Sequence, residues 1–142
     1  MFFGQFDHSL DDKGRVILPA KFRPLLESGA YMSKGREGCL AVYTTERWSE
    51  VAQQVQELAK RGQRERLAMA AFFAGATDAA PDKQGRVAIP PVLRQYAGLE
   101  RDVVIVGQFT HVEIWDAAKW AARTEAGDAS LADPELMPDF GL

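Results

Sequence analysis

Histidine, cysteine and long apolar runs are all scarce in this chain. Cys39 is the only cysteine, and His8 and His111 are the only histidines. An intramolecular disulfide framework is therefore excluded, and no cluster stands at metal-ligand spacing. Cys39 lies in the apolar run CLAVY and reads as a buried, inert thiol. No apolar stretch approaches the length of a membrane span, and the opening MFFGQFDHSL lacks a basic region followed by a hydrophobic one, so the expectation is a cytoplasmic protein with neither signal peptide nor anchor. Catalytic signatures are missing too. There is no glycine-rich phosphate loop ending in Lys-Ser/Thr, no G-x-S-x-G elbow, and no nucleophile near either histidine in sequence. Adjacent carboxylates at Asp11 and Asp12 sit in a turn, where they are usually solvated rather than an acid–base pair. The reading is no enzyme, no cofactor, no metal and no small-molecule substrate.

What the chain does have is one stretch written twice. DDKGRVILPAKFR (residues 11–23) returns as DKQGRVAIPPVLR (residues 82–94) at an offset of 71. Asp11, Gly14, Arg15, Val16, Pro19 and Arg23 fall on Asp82, Gly85, Arg86, Val87, Pro90 and Arg94. Upstream, Phe2, Gly4 and Asp7 meet Phe73, Gly75 and Asp78, and after one residue of slippage Tyr43 meets Trp115 and Trp48 meets Trp120. Two copies are too few for a solenoid, which stacks several units, so the halves are expected to pair around a pseudo-two-fold axis and share one core. With 142 residues and 46% hydrophobic content the whole suits a single domain, while half of it would be marginal. The expected division is one domain over residues 1–124, with repeats at about 1–61 and 72–124 linked by a helix over 63–74. An acidic, flexible tail follows over 125–142.

Local patterns fill in the repeats. Each Asp-to-Gly segment is turn chemistry, from which a hairpin with the preceding strand is expected, followed by a short β-branched strand that a proline ends. In the first copy Pro19 should open a short helix carrying Phe22 and Leu26 on one face, with Pro24 keeping it short. Strands are expected at 30–33 and 39–43 around KGREG. Trp48, Val51, Val55 and Leu58 recur at helical spacing from Thr45. In the second copy a helix from Pro90 should be capped by Gly98, strands cover 103–107 and 111–115, and Asp116 should cap a last helix ending at about Thr124. Trp48 and Trp120 read as equivalent packing anchors rather than bases' stacking partners.

Charge is distributed unevenly. The net charge is −3, but Glu125, Asp128, Asp133, Glu135 and Asp139 lie in a tail without Lys or Arg, which leaves 17 basic against 15 acidic residues before it. Residues 11–36 alone carry a surplus of three positive charges, and local patches, not net charge, steer ligands. In the repeated Asp-x-x-x-Arg, a carboxylate can hold the guanidinium in one orientation and leave part of its fork free, an arrangement that suits phosphate or guanine. It serves equally well as a local turn clip.

MFFGQFDHSLDDKGRVILPAKFR, GREGCLAVYTTERW and PDKQGRVAIPPVLRQYAGLERDVVIVGQFTHVEIWD together resemble the MraZ family of bacterial transcriptional regulators, across residues 1–124. The resemblance implies a mainly β, α+β fold of two AbrB-like swapped hairpins and assembly into a homo-oligomeric ring. It implies a nucleoid-associated, non-enzymatic regulator of the division and cell-wall gene cluster, binding repeated G-rich boxes of double-stranded DNA in its own promoter. Arg15 and Arg86 match the DNA-contacting arginines, Asp11 and Asp82 their orienting partners, and Gly14 and Gly85 the turn glycines. Lys13 matches a basic position of the loop; its repeat counterpart is Gln84, and the second copy carries Lys83 instead. Lys21 or Arg23 would add phosphate contacts. The principal rival is an AbrB-fold, antitoxin-like module whose partner is a protein.

Overall fold

The computed structural model describes residues 1–141. It is an α+β fold with eight strands and five α-helices among the described residues, built from two intertwined repeats. The first contributes β1 (Gln5–Ser9), β2 (Arg15–Ile17), α1 (Arg23–Leu26), β3 (Ala30–Lys34), β4 (Leu40–Thr44) and α2 (Thr45–Ala59). After the linking helix α3 (Gln63–Ala74), the second contributes β5 (Thr77–Asp78), β6 (Arg86–Ala88), α4 (Pro91–Ala97), β7 (Asp102–Gly107), β8 (Val112–Asp116) and α5 (Ala117–Leu131).

The main sheet runs β1-β7-β8-β4-β3-β5, and β2 pairs with β6 in a separate two-stranded ribbon. That order is its own mirror under exchange of repeats: β1 maps to β5, β7 to β3 and β8 to β4. The pseudo-two-fold axis therefore passes between β4 and β8 and through the ribbon. Each repeat's first strand leaves home, since β1 lies against β7 with Phe6 opposite Ile105, and β5 lies against β3 with Thr77 opposite Met32. This exchange is the swapped hairpin.

The core lies between sheet and ribbon. Val16 and Val87, opposite each other in the ribbon, are buried along with Leu18, Ile89, Met32, Val42, Ile105 and Ile114. Phe22 is 1% exposed and meets Phe2 and Phe6 edge-on at 5.3 and 5.5 Å, while Leu26 is fully buried one turn on. A second cluster on the far side of the sheet contains Cys39, Val104, Val106 and Trp115, with Trp120 packed against it. Cys39 is buried as expected.

Helix ends follow local chemistry. Thr44 Oγ1 accepts from Arg47 N at 3.2 Å and Asp116 Oδ2 from Lys119 N at 3.1 Å, the N-cap bonds that start α2 and α5. Gly98 closes α4. Two boundaries differ from the sequence reading. Pro19 does not open α1: Phe22 N bonds back to Pro19 O in a turn, and the helix begins at Arg23 with Pro24 in its first turn, where a missing N–H costs nothing. The helix is as short as expected, four residues, but Pro24 stands in its first turn and does not end it. At the other end α5 runs to Leu131, past the expected stop near Thr124, and a 3₁₀ turn covers Met137–Phe140. Ala126 and Ala129 favour helix, and Gly127 between them costs only about 1 kcal/mol, so nothing in that stretch enforces a stop. The last residue of the expected tail, Leu142, lies outside the described residues. No helix among the described residues is long and apolar enough to cross a membrane.

Candidate nucleic-acid interface

The two Asp-x-x-x-Arg turns stand at opposite corners of the β2–β6 ribbon and are built identically. Asp11 Oδ1 accepts from the backbone N–H groups of Lys13 and Arg15, both at 2.9 Å, and Oδ2 accepts from Arg15 Nε at 2.8 Å. Asp82 repeats the pattern with Gln84 N, Arg86 N and Arg86 Nε, each at 2.9 Å. One carboxylate thus closes the turn and clamps the guanidinium by its inner nitrogen. Backbone hydrogen bonds, first of all from Arg15 and Arg86, hold both carboxyls below the ordinary aspartate range. Among the described residues, the two Nη groups of each arginine have no hydrogen-bond partner. The outer end of each guanidinium is thereby held in one orientation, and a fork of this kind can match a guanine edge or a phosphate.

Ribbon register places the arginines on one face. Arg15 lies opposite Ala88 and Ile17 opposite Arg86. Residues directly across an antiparallel pair point the same way, so Arg15, Ile17, Arg86 and Ala88 share the outer face while Val16 and Val87 point inward. The diagonal between Arg15 and Arg86 is about 7–8 Å at Cα. Lys13 and Lys83 are exposed on the flanking turns. Neither has an ion-pair partner among the described residues.

Gly14 and Gly85 are more than turn formers. Both have positive φ, 74° and 80°, and both are buried. A Cβ on Gly14 would run into the Arg94 guanidinium, and one on Gly85 into Arg23. Each repeat's arginine therefore lies across the turn of the other repeat. Arg23 Nε also donates to Leu18 O at 2.9 Å, and the backbone seals the crossing with Leu18 N to Gly85 O and Ile89 N to Gly14 O, both 2.9 Å. The sequence aligned Arg23 with Arg94 but carried no signal that each serves the opposite copy. Arg23 is thus a scaffold contact under the ribbon. Lys21 Nζ lies 4.6 Å from the centroid of the Phe3 ring and 5.1 Å from that of Phe6, a cation–π position beside the N-terminal strand.

Other polar groups are tied into the far side of the sheet. His111 Nε2 and Trp115 Nε1 both meet the Glu113 carboxylate at 2.9 Å. Burial pushes that carboxyl up, but these hydrogen bonds more than offset it and leave it below its ordinary value. Trp48 stacks on Tyr31 and Phe72 at 5.5 Å, and Trp120 donates to Gln5 Oε1 at 3.0 Å, so both tryptophans are anchors for their helices.

Comparison with known proteins matches this architecture. The family model described as "MraZ protein, putative antitoxin-like" covers residues 1–70 and 72–136, one stretch for each repeat. The chain belongs to the MraZ family. Curated relatives called "Transcriptional regulator MraZ" include that of Cutibacterium acnes, 44% identical over 133 residues and spanning 94% of each chain. That of Acetivibrio thermocellus is 44% identical over 142 residues, spanning 100% of this chain and 98% of its own. That of Salinispora tropica is 45% identical over 135 residues, 95% of each. The break between the two MraZ matches falls inside α3, the helix that links the repeats.

Proposed function

We propose that this protein is a non-enzymatic, sequence-specific regulator of transcription that reads double-stranded DNA with the outer face of its β2–β6 ribbon. The observation that carries the reading is the repeated clip: both guanidinium groups are locked by Nε and offer their Nη atoms on one exposed face. A two-stranded ribbon fits the major groove, where an arginine fork matches guanine O6 and N7. Lys13 and Lys83 would take phosphates and set register. The names of the relatives agree in kind.

Its targets would be repeated G-rich boxes upstream of its own operon, in the division and cell-wall cluster. A ring of subunits would present the same ribbon several times along one face. Repetition compensates for an acidic net charge, because linked weak contacts gain by effective concentration. The single domain would act from the nucleoid, in the cytoplasm. The family description's antitoxin-like wording favours one rival, a protein-binding module.

Fluorescence anisotropy on DNA from upstream of its own gene, beside a scrambled duplex and at several salt concentrations, tests the reading. Specific affinity should fall steeply with salt. Arg15→Ala should lower specific binding by roughly 5- to 150-fold, the loss of one bidentate base contact, with the size-exclusion profile unchanged. Equal, weak binding to both duplexes would overturn the regulator reading and favour a protein partner, whereas an altered oligomer in Arg15→Ala would move Arg15 into the scaffold.

A further inference from the structure

The outer face of the ribbon is not symmetric. Directly opposite Arg86 stands Ile17, and directly opposite Arg15 stands Ala88. These are the same position in the two repeats, yet one carries a branched four-carbon side chain and the other a methyl. Each arginine is drawn toward its own turn by the Asp Oδ2 bond, which leaves the side chain across the ribbon uncovered. Ile17 is 45% exposed there. A lone exposed isoleucine is ordinary on a protein surface. This one lies between two clamped arginines on the face that carries the DNA reading, and its register is pinned by the buried Val16–Val87 pair beneath it.

The major groove offers one apolar group, the C5-methyl of thymine. An arginine and an isoleucine side by side across a ribbon therefore match a guanine with a thymine beside it. We infer that Ile17 is a specificity-determining residue which packs on a thymine methyl next to the guanine read by Arg86. Ala88 reaches less far beside Arg15. The two arginines are about 7–8 Å apart at Cα on the diagonal, and their guanidinium groups are drawn further apart toward opposite turns, so they face separate base pairs. The turns differ as well, Asp12 and Lys13 in one copy corresponding to Lys83 and Gln84 in the other. A pseudo-symmetric ribbon with unlike ends selects a directional, non-palindromic element. The inference rests on the DNA-binding reading above.

The test replaces each thymine of the promoter duplex in turn by deoxyuridine, which removes the methyl and keeps the pairing. For wild type, one position in each box should weaken binding by roughly three- to fivefold, the effect of withdrawing one methyl from an apolar contact. Ile17→Ala should lose a similar factor on the unmodified duplex and show no further loss at that position. The exchange variant Ile17→Ala/Ala88→Ile should move the sensitive position to the other side of the guanines. Specific binding with no sensitive thymine, a penalty that persists in Ile17→Ala, or a position unmoved by the exchange would overturn the role of Ile17 and leave the DNA-binding reading standing. Wild type that binds the scrambled duplex as tightly would overturn both.

Discussion

At Asp11 and Asp82 a single carboxylate both closes a turn and aims an arginine, and the two tasks share one charge. Because backbone donors hold each carboxyl below its unfolded value, the turn's contribution is present above that value, near pH 4, and is lost as pH falls through the folded one. Carboxyl-carbon NMR titration should place both midpoints below that of a free aspartate, and a midpoint at or above it would mean the clip is open in solution. DNA affinity should therefore stay flat on this account between pH 6 and 8. The opposite shift occurs at Cys39, where burial, with Glu113 adding to it, pushes the thiol up to about 12. Alkylation at pH 8 should be negligible in the native protein and complete in denaturant. Rapid native modification would show that the start of β4 opens readily.

The ribbon crossing is where elements of different repeats meet most closely, and the two glycines there are not equivalent. Alanine at either position is strained by positive φ, at about 1–2 kcal/mol. At Gly14 the new methyl meets the outer end of Arg94, which can swing aside. At Gly85 it meets the Nε, Cζ and Cδ atoms of Arg23, whose Nε is bonded to Leu18 O. Gly85→Ala should lower the urea midpoint further than Gly14→Ala, by the equivalent of about 0.5–1.5 kcal/mol for that hydrogen bond. The reverse order would mean that Arg23 is mobile. In the α2–α3 pair, Trp48 stacked on Phe72 should show a coupling of about 0.5–1.5 kcal/mol in a Trp48→Ala/Phe72→Ala double-mutant cycle followed by denaturation. A coupling near zero would leave their contact incidental.

For the whole molecule, the interleaved sheet implies that neither repeat is a folding unit. β1 depends on β7, β2 on β6, and β4 on β8, so each copy lends strands to the other. A fragment of residues 1–61 should give a collapsed NMR spectrum and no cooperative urea transition, whereas the full chain should unfold in one. A cooperatively folded monomeric fragment would contradict a single domain. In the proposed ring, several ribbons along one face would make affinity for multi-box DNA far exceed that for one box, an avidity effect that single-box duplexes would lack.

Much of this was legible in residues alone. The offset of 71 locates both turns and both arginines, the Asp-x-x-x-Arg spacing points to the clip, and helical period places α2 from Thr45. The start of α1 and the end of α5 are not legible, because proline is tolerated in a first turn and a single glycine, Gly127, does not end an otherwise Ala-rich helix. Local sequence dictates that Arg15–Ile17 and Arg86–Ala88 are strands with one buried valine each, since alternation and turn chemistry act within a few residues. The turn chemistry points to a hairpin with the preceding strand, which does not form, because β1 pairs with β7 and β2 with β6. Only the tertiary structure decided which strands of the two copies pair and in what register, that Arg23 and Arg94 cross to the opposite turn, and that Ile17 faces outward beside Arg86. Those outcomes depend on register between segments 71 residues apart, which the shared core selects and no short stretch encodes.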